Sequence, residues 1–305
     1  MSTTFRLGIN TCFAVKRWPE PGAWSEIVVD LGLDLVQHSL DLVDVDTAED
    51  DLDRQASDVA RACREADLTL HSTFTGLAAY SGNLLLHPDR ARRDRAAGWY
   101  RRAIDFTASA GGRSTGGHVG AYSVADYASP GRRAELWGWL QDELADLSAY
   151  AHVAGLDSLM VENLAAAREP SSMSAVRSLL TPGDDTHVPI VACLDVGHQC
   201  VDGATGAELD PYAWLTALGA HAPVVQLQQS DAVADHHWPF TSETNAAGRI
   251  EAARVLQALE ESGAAEVALI LEIIPPFEAP DDQVIADLRV SAEYWRRHLA
   301  GANGS

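Results

Sequence analysis

Eight times along these 305 residues an apolar run ends on a polar side chain able to bind a ligand, at intervals of 28 to 47 residues. The closing residues are Asn10, His38, His71, His118, Glu162, Asp195, Gln228 and Glu272, after runs such as Phe5 to Ile9, Leu33 to Gln37, Leu68 to Leu70 and Leu159 to Val161. Helix-like segments fill the intervals. Short runs that are apolar throughout suit the strands of a parallel sheet covered on both faces. Eight strand–helix units, each with a polar residue at the strand's carboxyl end, predict an α/β fold, a single (β/α)8 TIM barrel. All eight closing residues are then expected to face one pocket. Strand four is placed chiefly by its neighbours, because Arg113-Ser-Thr-Gly-Gly117 has little apolar character.

The barrel is expected to take in residues 1–299, leaving 300–305 as a disordered C-terminal tail. Ser129-Pro130 and Asp210-Pro211 each put a capping side chain before a proline suited to the first helical position. Leu136, Leu140, Leu144 and Leu147 then recur at helical spacing, as do Ile285, Leu288, Trp295 and Leu299 in the last helix.

A net charge of −22 repels phosphate backbones and acidic membranes, which argues against a nucleic-acid partner. No apolar stretch approaches the roughly 20 residues that span a bilayer, and the first residues lack an apolar signal core. The expectation is a soluble, cytoplasmic protein without membrane partners, with a homo-oligomer left open. Four cysteines without a paired spacing read as reduced thiols. Lys16 is the only lysine, so Schiff-base chemistry would have to rest on it.

Three carboxylates (Glu162, Asp195 and Glu272) meeting in one pocket would repel one another unless a cation sits between them. With Gln228 they form an all-oxygen ligand set, suited to a hard divalent ion such as Mg²⁺ or Mn²⁺. Glu162 and Glu272 are also the candidate proton carriers, and His198 is placed to polarise a substrate oxygen. His71 and His118 are expected opposite the ligands as substrate contacts, and Asp235, His237 and Trp238 in the loop after strand seven. The pair Lys16-Arg17, on the catalytic face, reads as a phosphate clamp or as a solvated surface pair. Phe13, Trp18, Phe74, Trp238 and Phe240 would narrow the rim around a short substrate.

The motifs Val161-Glu-Asn163, Leu194-Asp-Val-Gly-His198, Gln228-Gln-Ser-Asp231 and Leu271-Glu272 resemble the xylose-isomerase-like TIM barrels, in the branch of sugar isomerases and epimerases. The resemblance runs from strand one to strand eight. It implies a metal-dependent isomerase or epimerase of a small sugar or sugar phosphate, acting by proton transfer through an enediolate. Where ketose epimerases carry a histidine ligand this chain has Gln228, as hydroxypyruvate-isomerase-like members do. Asn10-Thr-Cys-Phe13, Lys16-Arg-Trp-Pro-Glu20 and the stretch His71 to Tyr80 are similar to the tetrulose-phosphate epimerases. Two alternatives stand beside this reading. One is an endonuclease IV-like multi-zinc phosphodiesterase, for which His71, His118, Glu162, Asp195, His198, Asp235, His237 and Glu272 resemble the ligand order. The other is a non-catalytic sugar-binding barrel.

Overall fold

A computed structural model describes residues 3–302. Eight parallel strands close into a barrel in chain order. They are β1 (Thr4–Asn10), β2 (Leu35–Ser39), β3 (Thr69–Phe74), β4 (Ser114–Gly117), β5 (Ser158–Glu162), β6 (Ile190–Asp195), β7 (Val224–Leu227) and β8 (Glu266–Leu271). The helices are α1 (Pro21–Asp30), α2 (Glu49–Glu65), α3 (Arg90–Ala110), α4 (Val124–Ala128), α5 (Pro130–Ala154), α6 (Met173–Leu179), α7 (Pro211–Leu218), α8 (Ser242–Ala247), α9 (Ala252–Ser262) and α10 (Asp281–Ala302). Closure is made by β1 on β8, paired from Thr4–Glu266 to Ile9–Leu271.

Alternation along each strand divides the apolar residues into two layers. Leu35, Phe74, Met160, Cys193, Val224, Ala268 and Ile270 fill the bore, while a larger set, including Trp24, Phe106, Leu194, Leu259 and Trp295, lies between strands and helices. The stripe Leu136, Leu140, Leu144 and Leu147 is the buried face of α5. Asp210 caps α7 by accepting from the Tyr212 amide, whereas Ser129 makes no side-chain cap on α5. The last helix continues through Ala302, so residues 300–302 of the expected tail are helical, and 303–305 lie outside the described residues.

Strand four owes its weak apolar signal to crowding. A Cβ on Gly116 would stand 2.0 Å from the Met160 carbonyl oxygen of β5, and Gly116 has a φ of 144°. Only glycine fits there. Two other strands run past the residues expected to close them. β2 ends at Ser39, and β3 continues to Phe74 with a register shift opposite Val36/Gln37.

Candidate active site

Each of the three acids stands at the carboxyl end of its strand. Glu162 is the last residue of β5, Asp195 the last of β6, and Glu272 follows the last residue of β8. Glu162 and Asp195 are 0% exposed and Glu272 is 3% exposed. One oxygen from each lies within 4.8 Å of the others. Burial and mutual repulsion act together here. Burial, partly offset by His198 and reinforced by Asp195, holds the Glu162 carboxyl up at about 8. Burial, Asp195 and Glu162 hold Glu272 well above the usual carboxylate range. Asp195 Oδ2 and Glu272 Oε2 are buried without a hydrogen-bond donor. Bare carboxylate oxygens aimed at a shared point are what a hard divalent cation would satisfy, so the residues fit such an ion.

The expected fourth ligand, Gln228, is turned the other way. Its Oε1 accepts from the His237 amide at 2.6 Å, and its Nε2 donates to Asp195 Oδ1 at 3.0 Å and Asp235 Oδ1 at 2.7 Å. Two neighbouring carboxylates favour the donor end of the amide, so Gln228 braces Asp195 instead of offering it a fellow oxygen ligand.

A second group lies beside the first. His198 Nε2 is 3.2 Å and His237 Nε2 is 3.1 Å from the same Asp235 Oδ2. His198 Nδ1 reaches the Asn163 carbonyl at 2.7 Å and lies 3.5 Å from Glu162 Oε1. Burial alone would lower the His198 pKa, but Asp195, Asp235 and Glu162 outweigh it and raise it well above the ordinary value. His198 Nδ1 donates to the Asn163 carbonyl, while Nε2 faces Asp235 without a hydrogen bond. Burial opposes ionisation of Asp235 too, yet His198 and His237 keep it far below the usual carboxylate range. Asp195, His198 and His237 can also be brought onto one ion.

Two further side chains, Tyr80 and Asn163, join the site without being among the expected site residues, and His118 stands beside them. Tyr80, in the loop after β3, places its hydroxyl 2.9 and 2.8 Å from the two oxygens of Glu162 and donates to that carboxylate. Its ring stacks on His118 with centroids 4.8 Å apart and planes 5° apart. The loop is latched by Asp41, whose carboxylate accepts from the Leu77 and Ala78 amides at 2.6 and 2.9 Å. Asn163 bridges β5 and β6, donating to the Asp195 carbonyl and accepting from its amide. His118 sits at the site, its pKa lowered to about 4 by burial.

Other expected site residues lie elsewhere. His71 is in the first half of β3, under the influence of Arg6 on β1 and Glu266 at the start of β8, so it belongs to the amino-terminal end of the barrel. His38 points out of the bore: its ring lies 5.3 Å from Trp24 and stacks on Phe106, and Thr11 takes its Nδ1. Arg17 bonds the carbonyls of Pro276 and Phe277 at 2.7 and 2.9 Å and pairs with Asp281, with 5% of its side chain exposed. It ties the loop after β1 to the loop after β8 instead of standing free for a phosphate. Lys16 lies 4.0 Å over the Phe277 ring. Of the expected aromatic rim, Phe240 is buried against Tyr294 and Trp295, and Phe74 fills the bore. Trp238 stacks on His236 at 3.8 Å.

Comparison with known proteins agrees with this architecture. The family model described as xylose isomerase-like TIM barrel matches residues 25–294. A relative from Brucella abortus (strain 2308), D-erythrulose 1-phosphate 3-epimerase, is 29% identical over 299 residues, covering 96% of each chain. A crystal structure from Rhodospirillum rubrum ATCC 11170, provisionally named a xylose isomerase, superposes with a TM-score of 0.88 at 35% identity, over 96% of this chain and 99% of that one. The fold is shared at 15% identity with D-psicose 3-epimerase from Clostridium cellulolyticum H10, with a TM-score of 0.69 over 96% of this chain and 99% of that one. With its model matched over most of the sequence and the acids at the ends of β5, β6 and β8, the chain belongs to the xylose isomerase-like TIM barrel family.

Proposed function

We propose that this chain is a divalent-cation-dependent epimerase of a short ketose phosphate. The observation that carries the reading is the convergence of Glu162, Asp195 and Glu272, all buried and with Asp195 Oδ2 and Glu272 Oε2 bare, in a chain similar over almost its whole length to a tetrulose-phosphate epimerase. Glu162, Asp195 and Glu272 would hold the cation, which supplies positive charge beside a substrate carbonyl. One glutamate removes the proton from the carbon next to the carbonyl, leaving an enediolate, and the other returns a proton to the opposite face. His198, its Nδ1 donating to the Asn163 carbonyl, presents Nε2, which has no hydrogen-bond partner, to a substrate hydroxyl. Tyr80 holds the Glu162 carboxylate in place by donating to it.

Two observations weigh against a trinuclear nuclease. His71 is at the far end of the barrel from the acids, and the net charge of −22 leaves a poor surface for a nucleic-acid backbone. A test is turnover of D-erythrulose 1-phosphate by the purified protein before and after chelation, with Mn²⁺, Mg²⁺ or Zn²⁺ added back. Glu272→Gln is expected to lower turnover at least about 10²-fold, the usual scale for a positioned acid or base. Full turnover in chelator, or near-normal turnover by Glu272→Gln, would refute the assignment.

A further inference from the structure

Beneath the acids the bore is closed by three side-chain amides. Asn10 on β1, Gln37 on β2 and Gln226 on β7 are all 0% exposed. Gln226 reaches Gln37 although β7 and β2 are not neighbours, so the contact crosses the bore. Asn10 Nδ2 lies 2.8 Å from Gln37 Oε1 and 3.0 Å from Glu272 Oε1. Gln226 Nε2 lies 2.9 Å from Gln37 Oε1 and 2.8 Å from Glu272 Oε1. An amide nitrogen carries two hydrogens. Both nitrogens are therefore fully used, in a four-cornered ring with two donors facing two acceptors.

The orientation of the ring is fixed from outside it. Asn10 Oδ1 accepts from the Cys12 amide at 2.8 Å, which commits its nitrogen to the ring, and Gln37 Nε2 is 3.3 Å from Ser72 Oγ. Gln226 Oε1 is left buried without a partner. That is a cost in stability, taken because the reversed amide would face two oxygens.

We propose that this ring is a positioning device that makes Oε2 the only working oxygen of Glu272. Oε1 is saturated by two N–H donors on the floor of the site. Oε2 has no donor and stands 3.7 Å from His237 Nδ1. Asn10, Gln37 and Gln226 act through Glu272 without touching substrate, fixing the plane of its carboxylate so that ligation and proton exchange both fall to one atom. The proposal rests on the reading of Glu272 as a ligand and proton carrier.

The test uses Gln226→Met, of matched length, and Gln37→Met, which touches Glu272 only through the two amides. Three quantities are measured: the Mn²⁺ dissociation constant from the electron paramagnetic resonance of free Mn²⁺, kcat and KM for D-erythrulose 1-phosphate, and the melting midpoint in chelator. Both variants are expected to bind Mn²⁺ about tenfold more weakly, the low end of the effect of residues that orient ligands. Their kcat should fall by a similar factor with KM within about twofold of wild type, a loss confined to the reacting state. Either variant carries the test if the other fails to fold. Folded variants whose affinity and kcat stay within twofold of wild type, with only the midpoint lowered, would overturn the proposal. Wild-type protein that binds no Mn²⁺ would instead refute the cation reading, and the kcat comparison would then decide the positioning of the proton carrier.

Discussion

Three acids buried without a cation give the metal-free protein a distinctive dependence of stability on pH. The Glu162 carboxyl is held at about 8 in the folded chain, against an ordinary 4.5. A group whose pKa is raised by folding binds its proton more tightly in the native state. Its stabilisation is complete below the unfolded value and is lost as pH rises through the folded one. Two histidines work in the opposite sense at lower pH. His38 and His118 are lowered to about 4 by burial, so stability is gained as pH rises towards 6.5, where their contribution is complete. The clean window is therefore pH 6.5 to 8. At about 1.36 kcal/mol per unit, Glu162 alone costs about 2 kcal/mol across that window. Glu272 and His198, both raised well above their ordinary values, act in the same direction. At roughly 2 °C per kcal/mol for a chain of this size, the metal-free midpoint should fall by about 4 °C or more. The assay is differential scanning calorimetry in chelator at several pH values. Glu162→Gln should flatten the slope and melt above wild type at pH 8. Saturating Mn²⁺ should reverse the slope, because cation and proton compete for the same oxygens. A wild-type midpoint that is flat or rising between pH 6.5 and 8, or a slope unchanged in Glu162→Gln, would refute the reasoning.

Tyr80→Phe removes a donor shared by both oxygens of Glu162, and kcat should fall about tenfold or more, the scale of a hydrogen bond to a charged group, with circular dichroism unchanged. Unaltered kcat would relegate the phenol to packing. Arg17→Ala cuts the tie to the loop after β8 and should destabilise by about 2 kcal/mol in urea, while KM for a phosphorylated sugar stays within twofold. A KM rise confined to the phosphorylated substrate would restore Arg17 as an anion contact. Gly197→Ala would set a Cβ 2.2 Å from Gln228 Cδ. It should cost about 2 kcal/mol, as overpacking does, and lower turnover; wild-type values in both assays would show that Gln228 can move aside.

The second half of the barrel was far more legible than the first. Glu162, Asp195 and Glu272 each end an apolar run just where the strand ends, so position in sequence and position in space coincide. At β2 the apolar run Leu33 to Gln37 pointed to His38, but alternation decides which face a side chain takes. Leu35 and Gln37 point in, and His38 points out onto Trp24 and Phe106. At β3 the strand passes through His71 and Ser72 to Phe74, and a run counted by apolarity stops four residues early. The bore of this barrel tolerates polar residues because amides satisfy one another there. Tyr80 had no signal of its own: it sits in a loop, and its place depends on the Asp41 latch, which joins positions far apart in sequence. The rotation of Gln228 depends on Asp235 and His237, residues that no strand-end rule brings together.

A carboxyl group out of reach of bulk water keeps the hydrogen it has taken. Glu162 is 0% exposed and Glu272 is 3% exposed, so under the two-glutamate reading hydrogen on either is expected to exchange with bulk water more slowly than turnover while substrate is bound. In heavy water each glutamate then has an isotopic memory one cycle long. The product acquires a single deuterium at the inverted carbon, delivered by the glutamate that last met solvent. The hydrogen removed stays on the opposite face and washes out after release, and substrate recovered early in the reaction remains unlabelled.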